Sequence, residues 1–342
     1  MKIKESLAYE DVLLVPQYST IKSRQEVSIA SSLRGPYATV GLSLPIIASP
    51  MDTISEVEMG IAMWEEGAFA VIHRYNTIEE QVNLLDQIIV GANANAAAAI
   101  GATGNYLERA RALVATGVRV LCVDVAHGHH ILMKEALTAL RYAFGNNVHL
   151  MAGNVATLEG YNDLVDWGAD SVRCNIGGGS ICSTRIQTGH GVPGLQTIMD
   201  CAASGRGAPI IADGGLRSAG DIVKALAAGA DFVMLGSMLA GTDETPGDVI
   251  NTREGKVKPY RGMASKDAQL DWHGKTASLE GIATTVPCRG PVDEILDDLA
   301  RGIRSGLSYS GARTIGELQA KARFIKQTTS GQLESATHIL KR

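Results

Sequence analysis

The chain has 342 residues, of which 45% are hydrophobic and 20% are charged, and its formal net charge is -5. This composition is typical of a globular chain with a large core, and it excludes a collagen, a coiled coil and a disordered tail. A chain that binds nucleic acid or anionic membranes usually carries a marked positive charge, and this chain is mildly negative. We therefore expect neither as a partner.

Targeting and redox features point to the cytoplasm. No stretch approaches the roughly 20 apolar residues of a membrane span. Glu5, Glu10 and Asp11 interrupt the position where a signal peptide would have its apolar segment, so we expect a cytoplasmic protein. The 5 cysteines are odd in number and form no CxxC pair, which argues against a disulfide framework or a zinc site.

Short apolar runs alternate with segments of helical length along most of the chain. The runs are residues 44–48, 69–73, 97–101, 118–125, 148–152, 171–176, 209–212 and 232–235. The third run is rich in alanine and fits a helix equally well. Continuous apolar strands separated by helices are typical of a parallel sheet covered by helices.

One junction recurs between a predicted helix and the strand that follows it. Gly67, Gly117, Gly168 and Gly229 each stand just past a helix end, where a left-handed residue caps the helix. Ser218 is the predicted N-cap of the helix before Gly229. The repeated junction indicates one type of helix-to-strand turn.

These β/α units predict a TIM (β/α)8 barrel, which typically needs about 250 residues. We expect one catalytic domain over residues 1–342, without a linker or an inserted domain. The residues beyond those that a TIM barrel needs lie in two places. They form an N-terminal arm, residues 1–43, and a polar segment after the last strand, residues 241–290.

Polar residues and glycines concentrate at the ends of the predicted strands, where a TIM barrel has its active site. In chain order these ends read Ser49-Pro50-Met51-Asp52, His73-Arg74, Asp124 with His127, Asn154, Gly177 to Thr184, Asp213-Gly214-Gly215 and Gly236-Ser237. Because glycine lets backbone N–H groups approach an anion, the last two ends favour a phosphate site. The competing interpretation is that these glycines only form tight turns.

The loop after the sixth strand presents a thiol. Gly177, Gly178 and Gly179 precede Ser180 and Cys182, and a mobile glycine-rich loop that carries a thiol suits covalent catalysis. A single cysteine is more often buried and inert. Cys182 stands among Gly, Ser and Thr rather than in an apolar run, which favours the reactive interpretation.

Three further motifs carry less weight. Residues 189–194 match GxGxxG, but they do not follow a strand and Pro193 disrupts the turn. Gly274-Lys275-Thr276 lacks the upstream glycine of a P-loop, since residue 269 is Gln. His127, His129 and His130 have no carboxylate or cysteine at metal-ligand spacing. We therefore expect them to lie in a loop or at the start of a helix rather than to bind a metal.

Ordered blocks along nearly the whole chain resemble the IMP dehydrogenase/GMP reductase family. They are Tyr9 to Leu14, Ser49 to Thr53, Asp124 to His129, Ala152 to Val155, Gly177 to Arg185, Ile211 to Gly215, Leu235 to Gly241 and Tyr260 to Met263. The resemblance implies a TIM barrel that assembles as a homotetramer and acts on a purine 5′-nucleotide, GMP or IMP. It also implies a nicotinamide cofactor.

The resemblance also implies roles for particular residues. Cys182 attacks C2 of the purine and forms a thioimidate, with Thr184 and Glu280 as a proton-transfer pair. The implied substrate-binding residues are Ser49, Met51, Arg173, Ser180, Asp213, Gly214, Gly215, Gly236, Ser237, Tyr260, Gly262 and Met263. The implied cofactor-binding residues are Asp124, Ala126, Asn154 and Gly177. The carbonyls of Gly177, Gly179 and Cys182 match a potassium site of the dehydrogenases.

The segment after the last strand favours the reductase within this family. Dehydrogenases place an Arg-Tyr pair on a long flap to activate water, whereas the flap here, residues 266–279, is short and contains neither Arg nor Tyr. Glu280-Gly281 aligns with the family's Glu-Gly. The missing tandem accessory domain, the CBS insert, fits a reductase as well. We therefore expect reduction of GMP with NADPH to give IMP and ammonia.

Other residues favour a short IMP dehydrogenase that uses NAD. Ser49-Pro50-Met51 and residues 240–247 look more like a dehydrogenase, and Arg173 stands where reductases commonly have Lys. In that case His273 or Lys275 would have to replace the missing Arg. Ser183 and Gly194 depart from both patterns, and Gly194 stands where Gln is common. A family member acting on a modified purine nucleotide and a catalytically silent nucleotide sensor are two further hypotheses.

Overall fold

The computed structural model describes residues 3–34, 40–276, 279–335 and 337, and only the backbone of His273. Its strands are β1 (Val12–Leu14), β2 (Ser31–Leu33), β3 (Val40–Leu42), β4 (Ile46–Ala48), β5 (Phe69–Ile72), β6 (Ala97–Ile100), β7 (Val120–Asp124), β8 (His149–Val155), β9 (Ser171–Cys174), β10 (Ile210–Asp213), β11 (Phe232–Leu235), β12 (Ile250–Thr252), β13 (Gly255–Arg261), β14 (Ala283–Pro287) and β15 (Phe324–Lys326).

The helices lie between the strands and after them. They are α1 (Val57–Glu65), α2 (Ile78–Asp86), α3 (Tyr106–Ala115), α4 (Ile131–Phe144), α5 (Leu158–Asp166), α6 (Thr184–Thr188), α7 (Gly194–Ala202), α8 (Ala219–Ala227), α9 (Lys266–His273), α10 (Val292–Tyr309), α11 (Ile315–Lys321) and α12 (Thr329–Glu334). None of the helices in the described ranges is long and apolar enough to cross a membrane.

A closed parallel barrel forms the centre of the described chain, and its eight strands run in the order β4-β5-β6-β7-β8-β9-β10-β11 before β11 returns to β4. The predicted TIM barrel is therefore confirmed. The alanine-rich run, which fitted a helix or a strand, forms strand β6. The predicted run 171–176 is shorter as a strand, because β9 ends at Cys174.

The recurrent glycine junction is also confirmed. Gly67, Gly117, Gly168 and Gly229 have φ angles of 70°, 106°, 112° and 118°, which a residue with a Cβ rarely adopts. The Ser218 side chain caps α8 by accepting a hydrogen bond from the Asp221 N–H at 3.2 Å. These caps end and begin the helices where the sequence placed the turns.

Alternate residues of the barrel strands face two separate cores. Ile47, Phe69, Val71 and their equivalents fill the barrel interior, while the other residues pack against the surrounding helices. Leu33 and Leu42, from the antiparallel pair β2–β3, join the interior layer. The predicted N-terminal arm therefore contributes to the barrel core, and its strand β1 pairs with β15 near the other end of the chain.

The predicted polar segment after the last barrel strand has a structure of its own. Strands β12, β13 and β14 form an antiparallel sheet, and helix α9 lies between β13 and β14. The sequence predicted no strands here, because β12 is exposed at every residue and so lacks an apolar pattern. The sheet carries Tyr260 and Glu280 towards the barrel mouth.

A buried histidine lies inside the barrel, at the start of β8. The Nε2 atom of His149 is 2.8 Å from Ser171 Oγ, and its Nδ1 atom has no hydrogen-bond partner among the described residues. Burial lowers the pKa of His149 from 6.5 to about 4. Protonation would leave a charge in the barrel interior.

We predict that His149 makes the fold sensitive to acid. Below pH 6.5 the unfolded chain binds a proton at this side chain, whereas the folded chain does so only near pH 4, so stability falls as the pH falls through this range. Relative to His149→Gln, the wild type should lose about 2–3 kcal/mol more between pH 7 and 4.5. Urea unfolding of both proteins at the two pH values measures this difference. Equal losses would contradict the prediction.

Candidate active site

The carboxyl ends of the barrel strands surround a cavity of about 330 Å³. Each residue to which the family resemblance assigned a role lines it: Ser49, Met51, Asp124, Ala126, Asn154, Arg173, Gly177, Gly179, Ser180, Cys182, Thr184, Asp213, Gly214, Gly215, Gly236, Ser237, Tyr260, Gly262, Met263 and Glu280. These residues are distant in sequence, and the barrel brings them together. Their individual roles remain predictions. Asp52, His73 and His127, which also stand at predicted strand ends, are not among its lining residues.

Cys182, Thr184 and Glu280 form a hydrogen-bonded chain at the cavity wall. The Cys182 thiol donates to Thr184 Oγ1 at 3.1 Å, and the Thr184 hydroxyl donates to Glu280 Oε2 at 2.9 Å. Cys182 is only partly buried, which leaves its sulfur accessible. The arrangement connects a potential nucleophile to a carboxylate through one hydroxyl group, which is the geometry that activated nucleophiles require.

Backbone pairing places Glu280 opposite the loop that carries the thiol. We call residues 177–184 the Cys182 loop. The Ser183 N–H donates to the Glu280 carbonyl at 2.9 Å, and the Ile282 N–H donates to the Ile181 carbonyl at 3.0 Å. The Ser183 hydroxyl also donates to the Leu279 carbonyl at 3.0 Å. The chain returning from the flap is therefore fixed to the loop on both sides of Glu280.

A tight turn formed by residues 213–215, the Asp213 turn, packs against the Cys182 loop. Gly214 and Gly215 both have a φ of 78°, so these two glycines form a tight turn, which is compatible with both interpretations of this strand end. A Cβ on Gly215 would lie 3.1 Å from the Gly178 carbonyl oxygen, and one on Gly214 would lie 3.3 Å from Gly179 Cα. The two segments thus touch backbone to backbone.

Hydrogen-bond donors converge on this side of the cavity. Within the described ranges, the backbone N–H groups of Gly215, Gly236 and Ser237 have no acceptor in the protein. The Ser180 and Tyr260 hydroxyls lie 3.3 Å apart beside them, and burial raises the pKa of Tyr260. A concave wall of N–H and O–H donors is suited to an anion such as phosphate.

Ser49 and Met51 lie close to Gly236. A Cβ on Gly236 would be 3.0 Å from Ser49 Oγ and 3.1 Å from Met51 Sδ, so only glycine fits without displacing them. The Ser49 hydroxyl is buried and has no partner among the described residues. It is therefore a further donor available to a molecule in the cavity.

Arg173 forms the floor of the cavity. It is 6% exposed, and its guanidinium donates to Asp124 Oδ1 at 2.5 Å and to Asp213 Oδ2 at 2.8 Å. Asn154 donates to the same Asp213 oxygen at 2.7 Å. Burial opposes the charge of Arg173, but the two carboxylates and Cys122 raise its pKa on balance. Arg173 thus holds two site carboxylates, rather than offering a free charge to a nucleotide.

Arg74 and Tyr75 lie in the cavity wall, although the sequence indicated Arg74 only as a strand end. The Arg74 Nη2 donates to the Asp124 carbonyl at 3.1 Å, and its guanidinium lies 5.4 Å from the Tyr75 ring centroid. Its Nε is buried without a hydrogen-bond partner in the described part of the chain. The signal for Arg74 was its position directly after a strand.

A second cavity, of about 480 Å³, adjoins the first and shares Arg74 and Val125 with it. His127, Arg109 and Trp272 are among its other lining residues. Burial lowers the pKa of His127, and the nearby histidines at 129, 130 and 190 lower it further. The two cavities together provide an extended space with basic and aromatic walls, which fits a dinucleotide.

The flap is attached to the barrel through its helix α9. Arg261 donates to Asp52 Oδ2 at 2.7 Å and to Asp271 Oδ2 at 2.5 Å, which connects strand β13 to α9. Trp272 and Tyr75 pack with their ring centroids 6.2 Å apart. Of the two residues that would replace the dehydrogenase Arg, Lys275 is exposed, and the side chain of His273 lies outside the described structure.

The motifs given less weight lie away from this cavity or have structural roles. Residues 189–193 connect α6 to α7, and Gly194 is the first residue of α7. His129 is bound to Asp163 at 2.8 Å and His130 caps α4, and no metal-binding group of His, Cys, Asp and Glu occurs among the described residues. Near Gly194, Gln196 donates to Asp200 Oδ1 at 2.9 Å and accepts from the Leu7 N–H at 3.4 Å.

Comparison with known proteins decides the family. Residues 6–338 match the model of the IMP dehydrogenase/GMP reductase domain. The chain belongs to the IMP dehydrogenase/GMP reductase family. It is therefore an NAD(P)-dependent purine nucleotide oxidoreductase, and the family resemblance stated from the sequence is confirmed.

Relatives from both branches of the IMP dehydrogenase/GMP reductase family are similar to this chain. It is 33% identical to the inosine-5′-monophosphate dehydrogenase of Nitrosopumilus maritimus (strain SCM1), covering 99% of both chains. It is 32% identical to the GMP reductase of Leishmania major, covering 98% of this chain and 97% of that one. The crystal structure of a GMP reductase variant from Trypanosoma brucei in complex with guanosine 5′-monophosphate has a TM-score of 0.92 at 31% identity, and 98% of each chain is covered.

The lengths of these relatives remove one argument for a reductase. The alignment to the Leishmania GMP reductase runs over 481 residues and that to the Nitrosopumilus dehydrogenase over 475, although this chain has 342. Members of both branches therefore contain segments that this chain lacks. The missing accessory domain does not distinguish the branches, so the distinction depends on the residues of the site.

We predict that Arg173→Met destabilises the fold by about 3–5 kcal/mol, because it removes the buried counter-charge of the half-buried Asp213 and leaves Asp124 only its ion pair with Arg74 at 3.7 Å. Arg173→Lys should cost less, since it keeps the charge and loses only the fork geometry. Urea unfolding at neutral pH measures both effects. A stability of Arg173→Met within about 1 kcal/mol of the wild type, on the scale of a surface substitution, would contradict this role.

Proposed function

We propose that this chain is a GMP reductase that converts GMP to IMP and ammonia with NADPH. The observation that supports this best is the chain of hydrogen bonds from Cys182 through Thr184 to Glu280. It provides a proton path between the nucleophile and a carboxylate. The flap sequence, which has neither Arg nor Tyr, supports the same branch.

In the first step, Cys182 attacks C2 of the guanine. The thiol proton passes to Thr184 as the Thr184 proton passes to Glu280, so the sulfur reacts as a thiolate. Glu280 then returns a proton through Thr184 to the 2-amino group. The C2–N bond breaks, ammonia leaves, and the purine remains attached to sulfur as a thioimidate.

In the second step, the C2–S bond breaks and IMP is released. A bound nicotinamide would supply the hydride that C2 accepts. Asp124, Ala126, Asn154 and Gly177 would border the nicotinamide, because they line the cavity beside Cys182. The second cavity, reached past Arg74, would hold the rest of the dinucleotide.

The remaining predicted residues would hold the substrate. The N–H groups of Gly215, Gly236 and Ser237 and the hydroxyls of Ser180 and Tyr260 would bind the 5′-phosphate. Asp213 would bind the ribose through Oδ1, since Arg173 and Asn154 both donate to its Oδ2. Ser49, Met51, Gly214, Gly262 and Met263 would border the nucleotide.

A potassium ion is a further part of the proposal. The carbonyl oxygens of Gly177 and Cys182 accept no hydrogen bond from described residues, which suits a cation that prefers oxygen ligands. The Gly179 carbonyl already accepts the Cys182 N–H at 3.1 Å. The ion would fix the backbone of the Cys182 loop.

We also propose a homotetramer, a single catalytic domain over residues 1–342 and a cytoplasmic location.

IMP dehydrogenase is the second candidate function, because Ser49-Pro50-Met51 and residues 240–247 look like that branch. It would oxidise IMP to XMP with NAD, and the adduct on Cys182 would need an activated water. The exposed Lys275 is the only one of the two replacement candidates whose side chain the structure describes, and it lies outside the cavity lining.

The deciding experiment follows nicotinamide absorbance and products with the purified full-length protein. GMP with NADPH should give loss of NADPH together with IMP and ammonia, and Cys182→Ala should abolish this turnover while nucleotide binding remains. Formation of NADH and XMP from IMP and NAD would instead show a dehydrogenase. No reaction in either assay would favour a modified purine substrate or a nucleotide sensor. NADH in place of NADPH tests the cofactor preference.

We predict that Glu280→Gln lowers kcat for ammonia release by about 10²–10⁴, since the amide neither accepts nor returns the proton. The Kd for GMP should change little, because Glu280 acts on the reacting amine. Thr184→Ser should keep most of the activity and Thr184→Val should lose it. Glu254→Gln, at an exposed acid outside the cavity, is the matched control. Unchanged turnover in Glu280→Gln would refute the assigned role.

A further inference from the structure

Asn175 has a backbone conformation that favours glycine. It follows β9 and lies just before the Cys182 loop, and its φ angle is 153°. Among the described residues, Asn93 and Asn175 are the non-glycine residues with positive φ. Asn175 is 3% exposed. A residue held in a sparsely populated conformation persists only where its surroundings fix it, and such positions cluster at functional sites.

The Asn175 side chain joins two parts of the site. Its Nδ2 donates to the Asp213 carbonyl at 2.9 Å and to the Gly214 carbonyl at 3.2 Å. Its own backbone N–H donates to the Val155 carbonyl at 2.8 Å, and its carbonyl accepts from Asn154 Nδ2 at 3.1 Å. The Asp213 turn is therefore bound to the end of β9 by a side chain that β8 holds in place.

Gly178 leaves the space that this side chain occupies. A Cβ on Gly178 would lie 2.1 Å from Asn175 Nδ2 and 2.8 Å from Asn175 Oδ1, which is far inside van der Waals contact. The φ angle of Gly178 is not in the left-handed region, so space rather than backbone conformation is what requires glycine there. The middle glycine of the Gly177–Gly179 run thus has a steric function.

The position of the Asp213 turn matters for binding because the Gly215 N–H has no acceptor among the described residues. Asn175 holds the two carbonyls that precede this N–H, and the Gly178 carbonyl lies 3.1 Å from a Cβ on Gly215. A shift of the turn would move this N–H away from the N–H groups of Gly236 and Ser237. Preorganised donors bind an anion better than donors that must be ordered on binding.

We infer that Asn175 is a positioning residue that sets the phosphate-binding geometry of the Asp213 turn and depends on the absence of a side chain at Gly178. This inference rests on the proposed function in so far as the ligand is a purine 5′-nucleotide. It adds a residue that acts through the turn rather than on the substrate.

The test compares the binding of GMP with that of guanosine, which lacks the phosphate. Asn175→Gly relieves the backbone strain but removes both donated hydrogen bonds. It should raise the Kd for GMP about tenfold, or about 1.4 kcal/mol, with a smaller effect on guanosine. Asn93→Gly, an exposed residue with φ of 52°, makes the same backbone change outside the site and should leave both Kd values unchanged. An unchanged ratio of the two Kd values in Asn175→Gly would overturn the inference.

A double-mutant cycle tests the steric dependence. Gly178→Ala should raise the Kd for GMP about tenfold or more in the wild-type background, because its Cβ must displace Asn175. In the Asn175→Gly background the same change should cost less than about twofold. Equal effects in both backgrounds would overturn the inference. If Gly178→Ala alone fails to fold, folding of the double mutant Asn175→Gly/Gly178→Ala supports the inference. Failure of the double mutant to fold as well refutes it.

These readouts separate the inference from the proposed function. Equilibrium binding of GMP, or of IMP against inosine, does not depend on which reaction the protein catalyses. A protein with the expected cycle but no reductase activity would refute only the proposed function. If the wild type binds neither nucleotide, the proposed function fails, and thermal unfolding of the four proteins in the cycle still tests the dependence of Asn175 on Gly178.

Discussion

The buried guanidinium of Arg173 holds together the strand ends on which the site depends. It lies on β9 and binds Asp124 at the end of β7 and Asp213 at the end of β10. Asn154 on β8 joins the same network. Four consecutive barrel strands are thus connected where parallel β/α folds place their catalytic groups. With both carboxylates neutralised from below, the anionic substrate proposed here meets less repulsion from the cavity floor.

Two backbone contacts then determine where the chemistry can occur. The Asp213 turn packs directly against Gly178 and Gly179. This contact brings the N–H and O–H donors of the cavity wall next to the Cys182 loop. On the other side of the loop, the segment before β14 forms backbone hydrogen bonds with Ile181 and Ser183. These hydrogen bonds position Glu280. The thiol therefore lies between a wall of N–H and O–H donors and a carboxylate. In the function proposed here, this arrangement would let one loop serve both binding and proton transfer.

The two branches of the family share this framework, which is why overall similarity does not separate them. The chain is about equally similar to a dehydrogenase and to a reductase over nearly its full length. The distinction lies in how the covalent adduct is formed and resolved: one branch needs an activated water, the other an exit for ammonia. In the function proposed here, the hydrogen bond from Thr184 to Glu280 would serve the exit of ammonia, and the flap without Arg or Tyr favours the same branch.

The sequence by itself determined the barrel and most of the cavity residues. The alternation of apolar runs and helices and the glycine caps at Gly67 and Gly229 are local signals, and residues at the ends of parallel strands must meet at one edge. The N-terminal pair β2–β3 and the sheet β12–β14 escaped prediction. Strands β2, β3 and β12 have three residues each, which is too short for a period, and β14 pairs with a strand that lies on the other side of the flap. Only the tertiary structure decided that Arg173 forms the cavity floor, that Arg74 lines two cavities and that Asn175 fills the space above Gly178. Such assignments depend on which side chains face one another across different strands, and no local pattern in the chain encodes these distances.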